Sequence, residues 1–389
     1  MAAIVPEVRP LPPSTDDLRM AVREFLSADR EAFGWEPRVD SWISSWDPGF
    51  SHRLGQQGWV GMTIPTEYGG AGLTHIDRYV VTEEVLAAGA PVAAHWVADR
   101  QVAPALLTHG SADQRDRYLS RIAAGDCHFA IGMSEPESGS DLASVRTRGV
   151  RVDGGWKVSG TKVWTSGAHH SEAFFVLART DDLDPAHRHA GLSQFLIPLD
   201  SAGIDIRPIR LLTGAHHFNE VVLDNVFVPD DMVVGDVGAG WAQVTSELGF
   251  ERSGPERFLS SHPLTEQAVD AARSAPEDTA VISDIGELAA DLMTLRGLSM
   301  SIAQTLSAGQ AADTAAALVK DLGTTYEQHA VTVCADLIAD LATTDQQSWA
   351  APPLTRLEAE GLLHAPGFTL RGGTTEILRG VIAKGLGLR

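Results

Sequence analysis

The hydrophobic positions of this chain change period twice. Over roughly residues 16–124 apolar side chains recur at spacings of three and four, most clearly at 77–88 and 113–124, the stripe of an amphipathic helix. Ser111 stands where the second of these would take its N-cap. The stretch Pro65-Thr66-Glu67-Tyr68-Gly69-Gly70-Ala71-Gly72 predicts a loop, because paired glycines are cheap only where the backbone turns. From 128 to about 234 the period falls to two, and β-branched and aromatic residues sit between turn signals. Predicted strands cover 128–133, 144–152, 156–163, 173–179, 193–198 and 219–223, with Asp153-Gly154-Gly155 as the turn between the second and third. This reads as one antiparallel β-domain. From Gly240 onward the pattern is helical again, with long Ala/Leu-rich segments at 282–308 and 311–341.

The chain has 389 residues, which at roughly 100–200 residues per domain predicts two or three domains. Its 30 Lys and Arg stand against 51 Asp and Glu, a net charge of −21 that repels phosphate backbones and anionic lipid. That argues against a nucleic-acid or membrane-surface partner. No apolar run reaches the ~18–20 residues of a membrane helix, and Met1-Ala-Ala-Ile-Val-Pro6 has neither the basic start nor the apolar stretch of a signal peptide. Two cysteines, Cys127 and Cys334, exclude a disulfide framework and a thiolate metal site. We expect a cytoplasmic, acidic, globular protein. The histidine pairs His169-His170 and His216-His217 predict no metal site, since adjacent residues on a strand face opposite sides and give one ligand per face.

The common nucleotide, zinc and serine-hydrolase motifs (GxGxxG after a strand, GxxxxGK[ST], HExxH, GxSxG) are absent. Two other stretches carry chemistry. Met133-Ser134-Glu135-Pro136-Glu137-Ser138-Gly139-Ser140-Asp141 ends a predicted strand with Pro, Gly and several hydroxyls, leaving N–H groups and Ser oxygens for a ligand; taken alone, an ordinary capped loop is the plainer reading. In Lys162-Val163-Trp164-Thr165-Ser166-Gly167, Trp164 and Ser166 share one face of an extended segment. A flat ring beside a hydroxyl suits a planar heteroaromatic ligand; a core Trp with a satisfied N–H is the plainer alternative.

Together these stretches resemble the flavin-binding segments of the acyl-CoA dehydrogenase family. The resemblance extends to the 65–72 loop, His109-Gly110-Ser111-Ala112-Asp113-Gln114, His217-Phe218-Asn219-Glu220-Val221 and Gly372-Gly373-Thr374-Thr375-Glu376-Ile377. It implies an α+β architecture: an N-terminal helical domain (1–127), a central antiparallel β-barrel-like domain bearing the flavin ring contacts (128–236) and a C-terminal four-helix bundle (237–389). It implies FAD, and α,β-dehydrogenation of an acyl-CoA thioester in which a carboxylate removes the α-proton and the β-hydrogen leaves as hydride to flavin N5. Electrons would then pass to an electron-transfer flavoprotein.

Residue by residue, the resemblance assigns Phe129, Ile131, Met133 and Ser134 to the flavin ring, mostly through backbone, with Trp164 and Ser166 beside it. Thr374 and Glu376 lie against the flavin, and Ser140 near the thioester. Many relatives place the base directly before the Gly-Thr of the C-terminal motif, where this chain has Gly372; its N–H is left as a donor to the thioester oxygen. A subset places the base on a C-domain helix directly before an Arg, which here is Glu251-Arg252, with Glu247 four residues earlier as the reserve. Carboxylates paired on a helix surface to Arg252 and Arg257 are the plainer alternative. A helix continuing through Gly254-Pro255 would kink there and widen the pocket for a bulky, steroid side-chain acyl group.

Two further motifs of family homotetramers, which reach a neighbour's FAD, are missing. Their places read Ala272-Arg273-Ser274-Ala275-Pro276-Glu277-Asp278 and Thr343-Thr344-Asp345-Gln346-Gln347-Ser348-Trp349-Ala350. Diphosphate needs cations or N–H donors, which acidic residues do not supply. A paralogous subunit in a two-plus-two heterotetramer, as in actinobacterial sterol side-chain breakdown, is therefore expected to complete the FAD site. A non-catalytic assembly subunit and a flavin monooxygenase on the same fold are the alternatives. Arg100, Arg207 and Arg210 are read as surface residues.

Overall fold

The computed structural model describes residues 5–273, 279–344 and 352–388; the side chains at 246–251, 279 and 343–344 lie outside that description. The backbone divides into two compact units, Met1–Ser45, Thr74–Pro91 and Glu251–Arg389 in the first and Trp46–Leu73 and Val92–Phe250 in the second.

Seven helices precede the sheet: α1 (Ser14–Phe33), α2 (Ser41–Ser44), α3 (Pro48–Gln56), α4 (His75–Ala87), α5 (Ala93–Val97), α6 (Ala103–His109) and α7 (Ala112–Ala123). The expected cap at Ser111 closes α7 through a reciprocal pair with Gln114. Gln114 Nε2 also donates to the carbonyls of Asp231 (2.7 Å) and Val233 (2.8 Å), so one side chain both starts the helix and ties it to the sheet domain. Between α5 and α6 the chain makes a π-helical turn, Ala98–Val102. There Arg100 is buried with its guanidinium over the Trp96 ring, which corrects its surface reading. Arg207 and Arg210 are exposed.

The second unit contains eight strands: β1 (Phe129–Gly132), β2 (Arg148–Val152), β3 (Gly155–Ser166), β4 (Ala173–Arg179), β5 (Leu192–Pro198), β6 (Ile204–Arg210), β7 (His216–Pro229) and β8 (Val233–Val234). They form one open sheet in the order β6-β7-β3-β2-β4-β5-β8, with β1 paired to β4. The sheet is mixed and not antiparallel throughout, because β1 runs parallel to β4. A tight turn joins only antiparallel neighbours, as at β2–β3; β1 reaches β4 after a long excursion and is free to align with it. The pattern missed β6 and β8. β6 carries Pro208 and lies at the sheet edge, where a missing N–H is tolerated.

After the sheet come α8 (Gly240–Glu251), α9 (His262–Ala272), α10 (Thr279–Ser307), α11 (Asp313–Thr344), α12 (Pro352–Phe368) and α13 (Thr375–Gly385). The expected continuation of α8 through Pro255 does not occur. The helix ends at Glu251, and Pro255 opens a separate 3-10 turn, Pro255–Arg257. Proline is favoured at the first position of a helical turn, where its absent N–H costs nothing. The kink, and the wide pocket argued from it, lose their premise. Glu256 and Arg257 are accordingly buried in this turn and not on a helix surface. In the first unit α11 packs against α10, α12 and α13. α4 is fastened there by the buried Glu83 and Glu84 to Arg19, Arg23 and Arg296.

Candidate active site

On the second unit, the loop after β1 is fastened to β3 by a buried ion pair that pattern reading did not single out. Lys162 is fully buried and its Nζ donates to Glu135 Oε1 (2.8 Å) and to the Met133 carbonyl (3.0 Å). Glu135 also accepts from the backbone N–H of Arg146 (2.6 Å) and Thr147 (2.8 Å). Burial pushes the Glu135 carboxyl up, but the ammonium and these donors outweigh it and hold it below the ordinary range. Burial lowers Lys162 to about 8 against the opposing pull of Glu135. The Val163 N–H donates to the Ser134 carbonyl at 2.9 Å, closing the loop onto the strand. Met133 and Ser134 are half-buried, while Ser140 is exposed.

Trp164 follows directly. It is 56% exposed, with a left-handed φ of 60°, at a register shift between Lys162 and Thr165. A non-glycine residue in that region is strained by about 1–3 kcal/mol and needs its neighbours to hold it. They do so on both sides, by the Lys162 anchor and by Asn219. Buried Asn219 Nδ2 donates to the Thr165 carbonyl (3.0 Å), and Phe218 meets the Trp164 ring edge-on at 5.8 Å. Ser166, two residues on, is half-buried, and the left-handed turn at Trp164 interrupts the extended segment on which the two were expected to share a face. An exposed flat ring held in a strained conformation fits a planar heteroaromatic ring. Ile131 is half-buried, whereas the Phe129 ring packs in the core against Tyr118 (5.2 Å) and its backbone is paired with Ala173 of β4. Asn219 also bonds His169 Nδ1 (3.0 Å) and His216 (2.8 Å), whose rings stack 4.0 Å apart. Among the described residues no His, Cys, Asp and Glu group is suited to a metal ion.

On the first unit, Gly372 and Gly373 both take left-handed φ, 68° and 99°. Arg252 Nε donates to the Gly372 carbonyl at 3.2 Å. Lys320 Nζ donates to the Gly373 carbonyl at 2.7 Å. A Cβ built on Gly372 would lie 2.9 Å from Arg257 Nη2. That guanidinium is wholly buried and lies 5.2 Å from the Trp42 ring. Thr374 precedes α13 as its N-cap, and Glu376 is exposed in the first turn, held below its ordinary range by its own N–H and by Thr374. The backbone of α8 reaches Glu251, but the side chains of Glu247 and Glu251 lie outside the described residues, as do Ser274–Asp278 and residues 345–350. Arg273 is exposed and paired with Asp270 (2.7 Å).

The fold and these two groups of residues belong to one class of flavoenzyme. Family models described as the acyl-CoA dehydrogenase N-terminal, middle and C-terminal domains match residues 12–126, 130–226 and 238–387. The chain is 34% identical over 340 residues to acyl-CoA dehydrogenase FadE29 of Mycobacterium tuberculosis, covering 85% of each. Among solved structures, it resembles the Tcur3481-Tcur3483 steroid ACAD with a TM-score of 0.87 at 28% identity, covering 98% of this chain and 99% of that one. The ChsE4-ChsE5 complex from M. tuberculosis follows with a TM-score of 0.82 at 28% identity over 98% and 99%. Other curated relatives match over shorter stretches: the chain spans 26% of the length of M. tuberculosis FadE34 and 52% of IpdE1 from the same organism. This chain belongs to the acyl-CoA dehydrogenase family, whose cofactor is FAD.

Proposed function

We propose that the chain is the catalytic subunit of a heteromeric dehydrogenase that converts an acyl-CoA thioester with a bulky, steroid-type acyl group into its 2-enoyl-CoA. When bound, FAD would supply the oxidising chemistry for loss of the β-hydrogen with its electron pair. Ile131, Met133, Ser134, Trp164 and Ser166, with the backbone at Phe129, would hold its ring from the sheet domain. Thr374 and Glu376 are proposed as further flavin contacts, and Ser140 as a residue near the thioester.

The chain's own residues supply the proton chemistry. The observation that carries this reading is at Gly372, where the conventional base position holds no carboxylate and a Cβ would sit at a left-handed φ only 2.9 Å from the buried Arg257 guanidinium. The base must come from elsewhere, and α8 ends at Glu251, one residue before the Arg252 that bonds the Gly372 carbonyl. We assign the α-proton to the Glu251 carboxylate, with Glu247 in reserve. In a dry pocket, desolvation raises the basicity of such a group. As the proton leaves, charge builds on the thioester oxygen, and the Gly372 N–H is a fixed donor for it; such donors contribute most where charge develops. The steroid reading is supported by the printed description of the Tcur3481-Tcur3483 relative. The partner is inferred to be a paralogous subunit, supported by the ChsE4-ChsE5 complex and by the acidic residues of 272–278. We further propose electron-transfer flavoprotein as the acceptor and the cytoplasm as the compartment; among the described residues no helix is long and apolar enough to cross a membrane.

Turnover of a steroid side-chain CoA thioester by the assembled complex tests the assignment. Glu251→Gln is expected to lower kcat by about 10²–10⁴-fold, the usual contribution of a positioned base. Unchanged turnover would make this chain a scaffold whose partner carries the base.

A further inference from the structure

The turn at Gly372-Gly373 consists of two left-handed glycines, the least constrained backbone a chain can have. An N–H carried by such a turn can act as a fixed donor only if its surroundings remove that freedom. They do so at three successive residues. The Arg371 guanidinium pairs with buried Asp40 and lies 4.5 Å from the Trp42 ring and 5.3 Å from Phe368. Arg252 holds the Gly372 carbonyl at 3.2 Å, and Lys320 holds that of Gly373 at 2.7 Å.

Lys320 belongs to no motif read from the sequence. It sits in the first third of α11 with its side chain fully buried. An apolar residue would pack there at far lower cost, because an ammonium withdrawn from water must be bonded to be tolerated. Its bond to the Gly373 carbonyl is charge-assisted, roughly twice as strong as a neutral one. It holds the second residue of the turn, as Arg252 holds the first.

We propose that Lys320 is a positioning residue for the dehydrogenation: by fixing the Gly373 carbonyl it fixes the turn, and with it the Gly372 N–H offered to the thioester oxygen. The proposal rests on the acyl-CoA dehydrogenase reading given above. The test uses the flavin-loaded protein, purified with the partner chain it requires, and titrates it with a 3-aryl-propenoyl-CoA. The absorption of such a thioester moves to longer wavelength when its carbonyl oxygen accepts a strong hydrogen bond. The wild-type complex is expected to give a red shift. Lys320→Met should cut that shift by about half or more, with flavin content unchanged and Kd within about threefold. Lys320→Gln, which keeps an N–H donor without the charge, should restore part of it. A full shift in Lys320→Met overturns the proposal. So does a loss of assembly or flavin in both variants, since the residue would then serve the fold alone. A bound probe with no shift in the wild type would instead remove the donor role of Gly372, a failure visible before any variant is made.

Discussion

A side chain at Gly372 would have to accept a φ of 68° and displace the buried Arg257 guanidinium, 2.9 Å from its Cβ. Returning a carboxylate to that position is therefore not a route back to the conventional base. Placed in a Glu251→Gln background, Gly372→Glu is expected to leave turnover at the level of the single variant. The adjacent guanidinium would favour the ionised carboxylate and weaken it as a base. Left-handed strain should also lower unfolding stability by about 1–2 kcal/mol, read from urea denaturation. The same scale explains Trp164. Its residue type and its neighbour Ser166 were legible as a ring beside a hydroxyl. Its strained φ depends on the anchors flanking it, Lys162 two residues earlier on β3 and Asn219 across on β7.

Among the elements, α11 carries Lys320 and Glu327 wholly buried in the first unit, with Asp321 buried beside them. Glu327 Oε1 accepts from the Ser260 N–H at 2.7 Å, while Oε2 has no hydrogen-bond partner among the described residues. Burial raises this carboxyl to about 7, against the lowering influence of Arg371 and Ser260. Folded protein thus keeps a proton there that the unfolded chain releases above its ordinary value near 4.5. The folded state binds more protons between those values, so this group's contribution falls as pH rises from about 4.5 to 7, by on the order of 3 kcal/mol in all. Glu327→Gln keeps an acceptor for Ser260 and does not titrate. Urea unfolding at pH 5 and pH 8 should show the variant losing less stability than the wild type across that interval. An equal loss in both would exclude Glu327 as the source. Asp40 behaves oppositely. Burial pushes it up, but Arg371 and His364 prevail and hold it at about 2, so its contribution is present above its ordinary range and is lost only as pH falls toward 2.

For the whole molecule, the two groups of residues proposed to contact the flavin belong to different compact units, and the cationic and glycine-rich stretches that family homotetramers use on a neighbour's FAD are absent from 272–278 and 343–350. Expressed alone, the chain is expected to purify with well under one flavin per polypeptide. Co-expressed with a paralogous subunit, it should give a two-plus-two assembly with about one FAD per pair, as follows when each dinucleotide needs donors from the other chain. Flavin absorbance against protein mass, with native mass measurement, checks this. A yellow homotetramer carrying one FAD per chain would contradict it.

Elements whose causes are local could be read directly. The helical and alternating periods located α4, α7 and most of the strands, Ser111 marked its cap, and Asp153-Gly154 its turn. The Met133–Asp141 and Trp164–Gly167 stretches carried the family likeness by themselves. What depended on residues far apart in the chain could not be read this way. β1 lies parallel to β4 because strand order is chosen by packing and not by period. Glu256 and Arg257 continue a helical pattern in sequence, yet Pro255 begins a new turn there and both become buried. Above all, the environment of Gly372 is assembled by Arg252, Arg257 and Lys320, between 52 and 120 positions away. Only folding encloses three cations around this turn, the arrangement on which the proposed donor role of Gly372 rests, and sets a buried guanidinium against any side chain placed there.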